Sequence, residues 1–114
     1  MLDFTAPVTG LHADGDIGFS REYDEILKYS MNSVSATHEH SSHPGDKHKN
    51  RYLNIVAYDH RRVVLTSVQG QRNSDYINAN YIDSFQQFQV YIGSPGPLDE
   101  TSESFWRMIW EQKV

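Results

Sequence analysis

The chain has 114 residues, 38% of them apolar, so its length allows one domain and its composition favours a packed core. The formal net charge of -5 argues against nucleic-acid binding, because that function requires a clustered cationic surface. No window approaches the roughly 20 consecutive apolar residues of a membrane helix, so we expect no direct membrane insertion by this segment. The lack of cysteine excludes disulfides and thiolate metal sites and fits a reducing cytosolic setting.

The amino-terminal region changes character at Gly18. Residues 1–17 mix Gly, Pro, Thr and Asp without a period, which predicts an extended lead-in or linker. From Gly18 the apolar residues recur at helical spacing, with charged residues between them, and this predicts a helix capped by Asp16 or Gly18 that fades near Met31. The apolar positions of this helix are Phe19, Tyr23, Ile26 and Leu27.

Residues 32–48 are rich in Ser, His, Asn and Gly and contain Pro44, which predicts an exposed connection. Four histidines in it raise the hypothesis of a zinc site, because imidazole is a common zinc ligand. Glu39 and Asp46 are the only carboxylates close by in the sequence, and the backbone is expected to be flexible. We therefore predict neither a metal site nor a cofactor. The histidines are His38, His40, His43 and His48.

After Lys49, four short runs rich in β-branched and aromatic residues predict strands. Residues 68–73, with Gly70 at their centre, predict a hairpin connection between the second and third runs, and residues 83–87 link the third to the fourth. Such clustering favours antiparallel pairing over a regular βαβ alternation. The four runs are residues 55–57, 62–65, 76–81 and 89–92.

A helix is predicted to follow Gly96 and Pro97, which end the last strand. Asp99 or Thr101 can cap this helix, which should extend through Gln112. Trp106 and Trp110 lie four residues apart and share one surface, so they predict a large buried apolar area. An apolar helix with no later element to cover it leads us to expect an incomplete domain.

Three blocks of sequence, taken together and in order, resemble the amino-terminal half of a protein-tyrosine-phosphatase domain. They are KNRYLNIVAYDHRRVVL from Lys49, SDYINANYI from Ser74 and FWRMIWEQ from Phe105. The resemblance is closest to the membrane-proximal domain of receptor-type members. It implies that residues 18–114 form a truncated α/β (α+β-like) phosphatase fold. That fold would have an amino-terminal helix, mainly antiparallel or mixed strands and a Trp-rich carboxy-terminal helix.

The same resemblance implies a phosphotyrosine-recognition loop in this chain. Tyr52 would be the aromatic wall that holds the phenyl ring, and Asn54 would hydrogen-bond the substrate backbone beside it. In an extended segment Asn54 projects on the same side as Tyr52. Asn50 and Arg51 are expected to support the loop. The alternatives are a half-buried strand-edge tyrosine at position 52 and a turn-forming asparagine at position 54.

Other polar residues in these blocks are predicted to be structural. Asp59 and His60 could form a proton relay, but neighbours on a strand point to opposite faces, so we interpret them as scaffold. Asn78 and Asn80 share one face of their strand, from which they can hydrogen-bond neighbouring loops.

The resemblance also implies chemistry that lies outside this chain. In the family, a cysteine in a His-Cys-x5-Arg loop attacks phosphorus, and an aspartate on a mobile loop protonates the leaving tyrosine. With no cysteine, this chain has no candidate catalytic residue, and we expect it to be inactive alone. Ser84 replaces the glycine of the family's usual Asp-Gly, and Pro95 lies where TQGP is usual, so full activity of the parent is in question.

We therefore predict a partial phosphatase domain whose parent hydrolyses phosphotyrosine in proteins through a cysteinyl-phosphate. Its partners would be a phosphotyrosine-containing protein or peptide and the remainder of the domain, with no nucleic acid. The resemblance implies a location on the cytoplasmic side, in a parent that is a single-pass plasma-membrane receptor. The alternative is a non-catalytic interaction module that pairs through exposed edge strands and the tryptophan helix.

Overall fold

The structure is a computed structural model that describes residues 5–33 and 36–114 and divides into two units, Met1–Ser35 and Ala36–Val114. In the first unit, α1 spans Thr5–Leu11 and α2 spans Ala13–Ser33. The extended conformation predicted for residues 1–17 is therefore wrong from residue 5 onward, and residues 1–4 lie outside the described part. The assignment of residues 1–17 as a linker and 18–114 as a domain stays a prediction.

A kink in α2 precedes the helix that the sequence predicts. Asp14, Gly15 and Asp16 have φ of 52°, 70° and 68°, which interrupts the helical geometry. Aspartate tolerates this left-handed region because its short side chain can bond locally, and Asp16 Oδ1 lies 2.7 Å from His12 Nδ1. The helix predicted from Gly18 is confirmed, although it ends at Ser33. Its apolar residues are exposed: Phe19, Tyr23, Ile26 and Leu27.

In the second unit, three antiparallel strands form one sheet in the order β1-β2-β3. β1 spans Arg62–Val64, β2 spans Tyr76–Ile82 and β3 spans Tyr91–Gly93. Asn80 of β2 pairs with Arg62 on one side and with Gly93 on the other. The predicted antiparallel pairing is confirmed, and the unit combines helices with an antiparallel sheet.

The predicted hairpin connection between β1 and β2 is also confirmed. The N–H of Gln71 donates to the carbonyl of Val68 at 3.1 Å, and Gly70 has φ of 82°. Glycine adopts this positive φ without the steric cost that a Cβ would bring.

The prediction of a strand at residues 55–57 is wrong, because side chains take the place of a strand partner there. The amide of Asn78 donates to the carbonyl of Ile55 at 2.8 Å. The amide of Asn80 donates to the carbonyl of Tyr58 at 2.9 Å and accepts the N–H of the same residue at 2.9 Å. These bonds confirm that Asn78 and Asn80 tie β2 to a neighbouring loop.

The carboxy-terminal helix packs one face on the sheet. A 3₁₀ turn at Asp99–Thr101 leads into α4, which spans Ser102–Gln112, close to the predicted bounds. Met108 is buried in the core and Phe105 packs against it. Burial of each large apolar side chain contributes about 1.5 to 3 kcal/mol. The buried residues that pack together in this cluster are Val63, Leu65, Ile77, Ala79 and Met108.

The burial predicted for the two tryptophans is wrong in this chain. Trp106 is 66% exposed and Trp110 is 85% exposed. Because successive helical residues turn by about 100°, a helix that directs Phe105 and Met108 to the sheet directs the tryptophans away from it. Together with Ile109, Lys113 and Val114 they border an open apolar cavity of about 710 Å³. We call this surface the tryptophan face.

Residues 36–48 are mostly exposed, as predicted, but they are less irregular than the sequence predicts, and residues 34 and 35 of this connection lie outside the described part. α3 spans Glu39–Ser42, and a 3₁₀ turn follows at Lys47–Lys49. Ser41 is 1% exposed and Asp46 is 4% exposed, so this segment contributes to the folded unit. No helix among the described residues combines the length and apolar character needed to cross a bilayer.

Candidate functional site

Tyr52 lies on a bent segment, residues 51–54, and its side chain is half exposed. It borders two grooves. The first, of about 430 Å³, also contains His38, Lys47 and Asn54 in its lining, and we call it the His38–Lys47 groove. The second, of about 310 Å³, runs along the sheet past Asn78, Ser94 and Pro95, and we call it the Asn78–Pro95 groove. Tyr52 is therefore not enclosed in the core.

Asn54, like Tyr52, borders the His38–Lys47 groove. Leu53, which lies between them and is 100% exposed, lines that groove as well. The segment is a series of bends, so strand alternation does not apply to it. Curvature of the chain, and not an extended backbone, brings Tyr52 and Asn54 to one groove.

Arg51 connects this segment to the loop before α4. Its Nε donates to the carbonyl of Gly96 at 2.8 Å, and its Nη2 donates to the carbonyl of Pro97 at 2.7 Å. A planar guanidinium that makes two charge-assisted bonds fixes direction as well as distance. The residue next to Tyr52 is thus held to backbone more than 40 residues away in the sequence.

Asn50 connects the other end of the segment to α3 and to the sheet. Its Nδ2 donates to the carbonyl of Ser41 at 2.9 Å, and its Oδ1 accepts the hydroxyl of Tyr76 at 2.7 Å. Burial, followed by the charge of Asp46, raises the pKa of Tyr76 to about 12 and outweighs the hydrogen bonds and the Arg62 charge that lower it. Tyr76 therefore remains a hydrogen-bond donor to Asn50 at neutral pH.

An ion pair between Lys49 and Asp46 stabilises the same region. Lys49 Nζ lies 2.9 Å from Asp46 Oδ1, and both side chains are largely buried. The ammonium also donates to the carbonyl of Asn73 and lies 5.7 Å from the centre of the Tyr76 ring. A buried carboxylate requires such a partner, because an unpaired charge is strongly disfavoured there.

Asp59 pairs with His40, and the scaffold interpretation of Asp59 has a specific geometric basis. Its carboxylate accepts the N–H of Glu39 at 2.7 Å and the N–H of His40 at 3.1 Å, and lies 2.8 Å from His40 Nδ1. Desolvation raises the pKa of Asp59, but hydrogen bonds from Thr37, Glu39 and His40 outweigh it and hold that pKa well below the usual range. Asp59 thus fixes the start of α3.

Sequence reasoning missed the contact between Asp59 and His40. The two residues lie 19 positions apart, and no spacing rule connects them. The argument from strand alternation does not hold, since Asp59–Arg61 is a 3₁₀ turn and not a strand.

Three of the four histidines of residues 36–48, His38, His40 and His43, have separate partners. His38 Nδ1 lies 2.8 Å from Ser42 Oγ, and His43 Nδ1 lies 3.2 Å from Asn73 Nδ2. Across the residues that the structure describes, no group of three His, Cys, Asp or Glu side chains is placed to hold a metal ion.

The two departures from the family pattern fit the backbone. Ser84 does not have a positive φ, so a side chain causes no strain there. Its N–H donates to the carbonyl of Gln87 at 2.8 Å. Pro95 lies at the edge of the Asn78–Pro95 groove, next to Ser94, whose hydroxyl donates to the carbonyl of Asn78 at 2.9 Å.

Comparison with known proteins gives consistent matches. A family model described as protein-tyrosine phosphatase matches residues 46–114. Tyrosine-protein phosphatase 99A of Drosophila melanogaster is 57% identical over 98% of this chain and 9% of that protein. Receptor-type tyrosine-protein phosphatase F of Homo sapiens is 46% identical over 100% of this chain and 6% of that protein. The chain thus spans less than a tenth of the length of these relatives.

A solved structure agrees with the fold. The structure of PTPN18 in complex with HER2-pY1196 phosphopeptides matches with a TM-score of 0.81 and 31% sequence identity. The match covers 97% of this chain and 40% of that chain.

Proposed function

This chain belongs to the protein-tyrosine phosphatase family, and from that membership we propose that Tyr52 and Asn54 form its phosphotyrosine-recognition wall. The half-exposed ring of Tyr52, at the border of two grooves, is the observation that carries this proposal. A rigid tyrosine face recognises a phenyl ring at small entropic cost, and Asn54 can donate to and accept from a peptide backbone.

The supporting role of Asn50 and Arg51 belongs to the same proposal. Arg51 ties the segment to Gly96 and Pro97, and Asn50 ties it to Ser41 and Tyr76. Recognition depends on a wall that is already in position before the substrate arrives, because ordering a loop on binding costs affinity. These four partners therefore serve to hold Tyr52 in place.

In this proposal the parent protein hydrolyses phosphotyrosine in proteins. A cysteine thiolate from the remainder of the domain attacks phosphorus and the bond to the tyrosine oxygen breaks. An aspartic acid gives that oxygen its proton, and water then hydrolyses the cysteinyl-phosphate. The present chain, which has no cysteine, contributes recognition and scaffold and is inactive alone.

The tryptophan face supports a partner that completes the domain. Trp106 and Trp110 expose large apolar surfaces, and an apolar surface of this kind usually marks an interface. The matching solved structure continues well beyond the region that this chain covers. In this proposal the remainder of the phosphatase domain packs against the tryptophan face.

The receptor-type relative also supports a location. In this proposal the parent is a single-pass plasma-membrane receptor, and the present segment lies on its cytoplasmic side without inserting into the bilayer.

A second candidate is favoured by the same exposed tryptophans. A non-catalytic product could use the tryptophan face and the open edges of β1 and β3 to associate with another phosphatase, since unpaired edges accept strands. The two candidates differ in what the parent reading frame encodes. Continuation into a strand followed by HCxxGxxR favours the enzyme.

The recognition proposal is tested in the complete parent protein by steady-state kinetics on a phosphotyrosine peptide. Tyr52→Ala should lower kcat/KM by about 10-fold to 100-fold, because an aromatic contact and its buried area are lost. Asn54→Ala should lower it for the peptide but not for a small aryl phosphate, which has no backbone to bind. Tyr91→Ala, at an exposed tyrosine of β3 that borders neither groove, is the matched control. Equal losses for Tyr52→Ala and Tyr91→Ala would contradict the proposal.

A further inference from the structure

Tyr23 of α2 has surroundings that set it apart from the other exposed tyrosines. The chain has seven tyrosines, and among the exposed ones Tyr23 alone has a carboxylate residue on each side, Glu22 and Asp24. Tyr23 is 67% exposed, and its hydroxyl makes no hydrogen bond to any residue among 5–33 and 36–114. The hydroxyl is therefore accessible to an enzyme that modifies it.

The other exposed tyrosines lack this charge pattern. Tyr29, on the same helix and 77% exposed, lies between Lys28 and Ser30. The exposed tyrosines of the second unit have at most one adjacent carboxylate residue. An enzyme that selects its substrates by charge pattern therefore distinguishes Tyr23 from all of them. The exposed tyrosines of the second unit are Tyr52, Tyr58 and Tyr91.

The stretch of α2 around Tyr23 can open locally at small cost. Helices in proteins are stabilised mainly by packing of an apolar face, and short isolated helices are only marginally stable in water. Every residue from 19 to 30 is exposed, including the apolar Phe19, Ile26 and Leu27. A segment with few buried apolar contacts opens more readily than the core does. Opening presents Tyr23 and its neighbours as an extended peptide.

A phosphate on Tyr23 favours the open form over the helix. A phosphotyrosine carries about -1.5 to -2 charges at neutral pH, and here the carboxylates of Glu22 and Asp24 lie beside it. In a helix the residues three and four positions away are the ones that face a side chain, and none of these is a cation. The phosphorylated helix therefore gains repulsion without a compensating ion pair. The four facing residues are Phe19, Ser20, Ile26 and Leu27.

We propose that Tyr23 is a phosphorylation site and that residues 23–26, once phosphorylated, bind a protein module that recognises phosphotyrosine. This inference goes beyond the function proposed for Tyr52 and does not depend on it. The modification requires a tyrosine kinase and ATP. The phenolic oxygen of Tyr23 attacks the γ-phosphorus, and the bond from that phosphorus to the bridging oxygen breaks. ADP leaves, and the phenolic proton passes to a carboxylate of the kinase.

The sequence YDEI at residues 23–26 defines the chemistry of the partner. A phosphotyrosine fits a pocket lined by arginine, because the guanidinium group binds phosphate through two parallel hydrogen bonds. Asp24 and Glu25 fit a basic surface beside that pocket. Ile26, which is 63% exposed, lies about 10 Å further along an extended chain and fits a second, apolar pocket. A domain of the SH2 type, with an arginine-lined pocket and an apolar one, is a partner of this chemistry.

The first test measures phosphorylation of the 114-residue chain by a tyrosine kinase that prefers acidic flanking residues. The chain has no cysteine, so the thiolate that would remove the phosphate is absent. Tyr23→Phe should lower the initial rate of phosphate incorporation by about fivefold or more, because the preferred acceptor is lost. Tyr29→Phe, at the other exposed tyrosine of the same helix, is the matched control and should leave the rate within about twofold of the wild type. Equal rates for Tyr23→Phe and the wild type would overturn the site.

Circular dichroism tests the opening of the helix. Phosphorylation of the wild type should reduce the helical signal, because the phosphate repels its acidic neighbours. Tyr23→Phe, treated with the same kinase and ATP, should keep the signal of the untreated chain. An unchanged signal in a wild-type chain that is fully phosphorylated at Tyr23 would overturn the opening.

The partner is tested by calorimetric titration of the phosphorylated chain with an SH2 domain whose second pocket is apolar. Ile26→Ala should weaken binding by about tenfold or more, because a buried apolar anchor is lost. Leu27→Ala, at the next residue and also exposed, is the matched control and should change the affinity by less than about twofold. Equal weakening by the two variants, or equal affinity for the phosphorylated and unphosphorylated chains, would overturn the proposed partner.

Discussion

The segment proposed for recognition, residues 50–54 and called the recognition segment below, and the core between the sheet and α4 are held by different kinds of interaction. The core is apolar, with Val63 and Ala79 almost fully buried beside Met108. The recognition segment has few buried apolar contacts and is held by side chains that bond distant backbone, above all Arg51 and Asn50. An apolar core gives stability and tolerates small shifts, whereas directional bonds give position. The role proposed for Tyr52, contact with a substrate ring, requires a fixed position and therefore directional bonds.

The largest expected effect comes from the core. In the 114-residue chain, Met108→Ala should lower the free energy of unfolding by about 2 to 5 kcal/mol, because it removes a buried side chain and leaves a cavity. Trp110→Ala, on the opposite face of the same helix, should change it by less than about 0.5 kcal/mol. Urea unfolding followed by circular dichroism measures both. A larger loss for Trp110→Ala would show that the tryptophan face is covered in this chain.

An intermediate effect is expected where the two regions meet, at the pair formed by Lys49 and Asp46. Lys49→Met should lower the free energy of unfolding by about 1 to 3 kcal/mol, because the buried carboxylate of Asp46 loses its charged partner. The double variant with Asp46→Asn should recover part of this loss, because no buried charge remains. Urea unfolding of the three variants gives the coupling energy. Additive losses would show that the pair contributes little.

The smallest effect concerns the support of α3 by Asp59 and depends on pH. The pKa of Asp59 in the folded state lies below its ordinary value of 3.8, so its stabilising contribution is present above that pH. It is lost as the pH falls from 3.8 toward the folded-state pKa. Asp59→Asn should therefore reduce the loss of stability between pH 5 and pH 2.5, measured as the shift of the thermal midpoint.

Two histidine variants sharpen this experiment. His40→Ala should weaken the acid-dependent contribution of Asp59, because His40 Nδ1 lies 2.8 Å from its carboxylate. His60→Ala should leave it unchanged, since no described hydrogen bond joins His60 to Asp59. If His60→Ala weakened the contribution of Asp59 and His40→Ala did not, the result would contradict the pairing of Asp59 with His40 and would favour a pairing of Asp59 with His60.

Much of the fold could be predicted from local patterns. Alternation in YINANYI predicts β2, Gly70 predicts the turn before it, and the spacing of Phe105 and Ile109 predicts α4. These features depend on residues within a few positions of each other. The structure confirms them because each strand or helix also meets a core that its apolar face fits.

The misassigned regions depend on partners far away in the sequence. Residues 55–57 have strand composition, yet the side chains of Asn78 and Asn80 bond the backbone at Ile55 and Tyr58 and leave it outside the ladder. The tryptophans have core composition, yet the direction of Met108 toward the sheet turns them outward. The local amino-acid composition limits which secondary structure and burial a segment can have. Packing against segments that are distant in the sequence determines which of these it adopts.

The sequence by itself determined the family, the antiparallel order of its strands and the two residues proposed for recognition, Tyr52 and Asn54. Only the tertiary structure decided that these two share a groove with Lys47, that Arg51 is bonded to Gly96 and Pro97, and that Asp59 pairs with His40. The physical reason is the range of the interactions. Backbone preference and apolar periodicity act over a few residues and can be read from the order of the amino acids. Side-chain hydrogen bonds and grooves form between segments that only folding brings together.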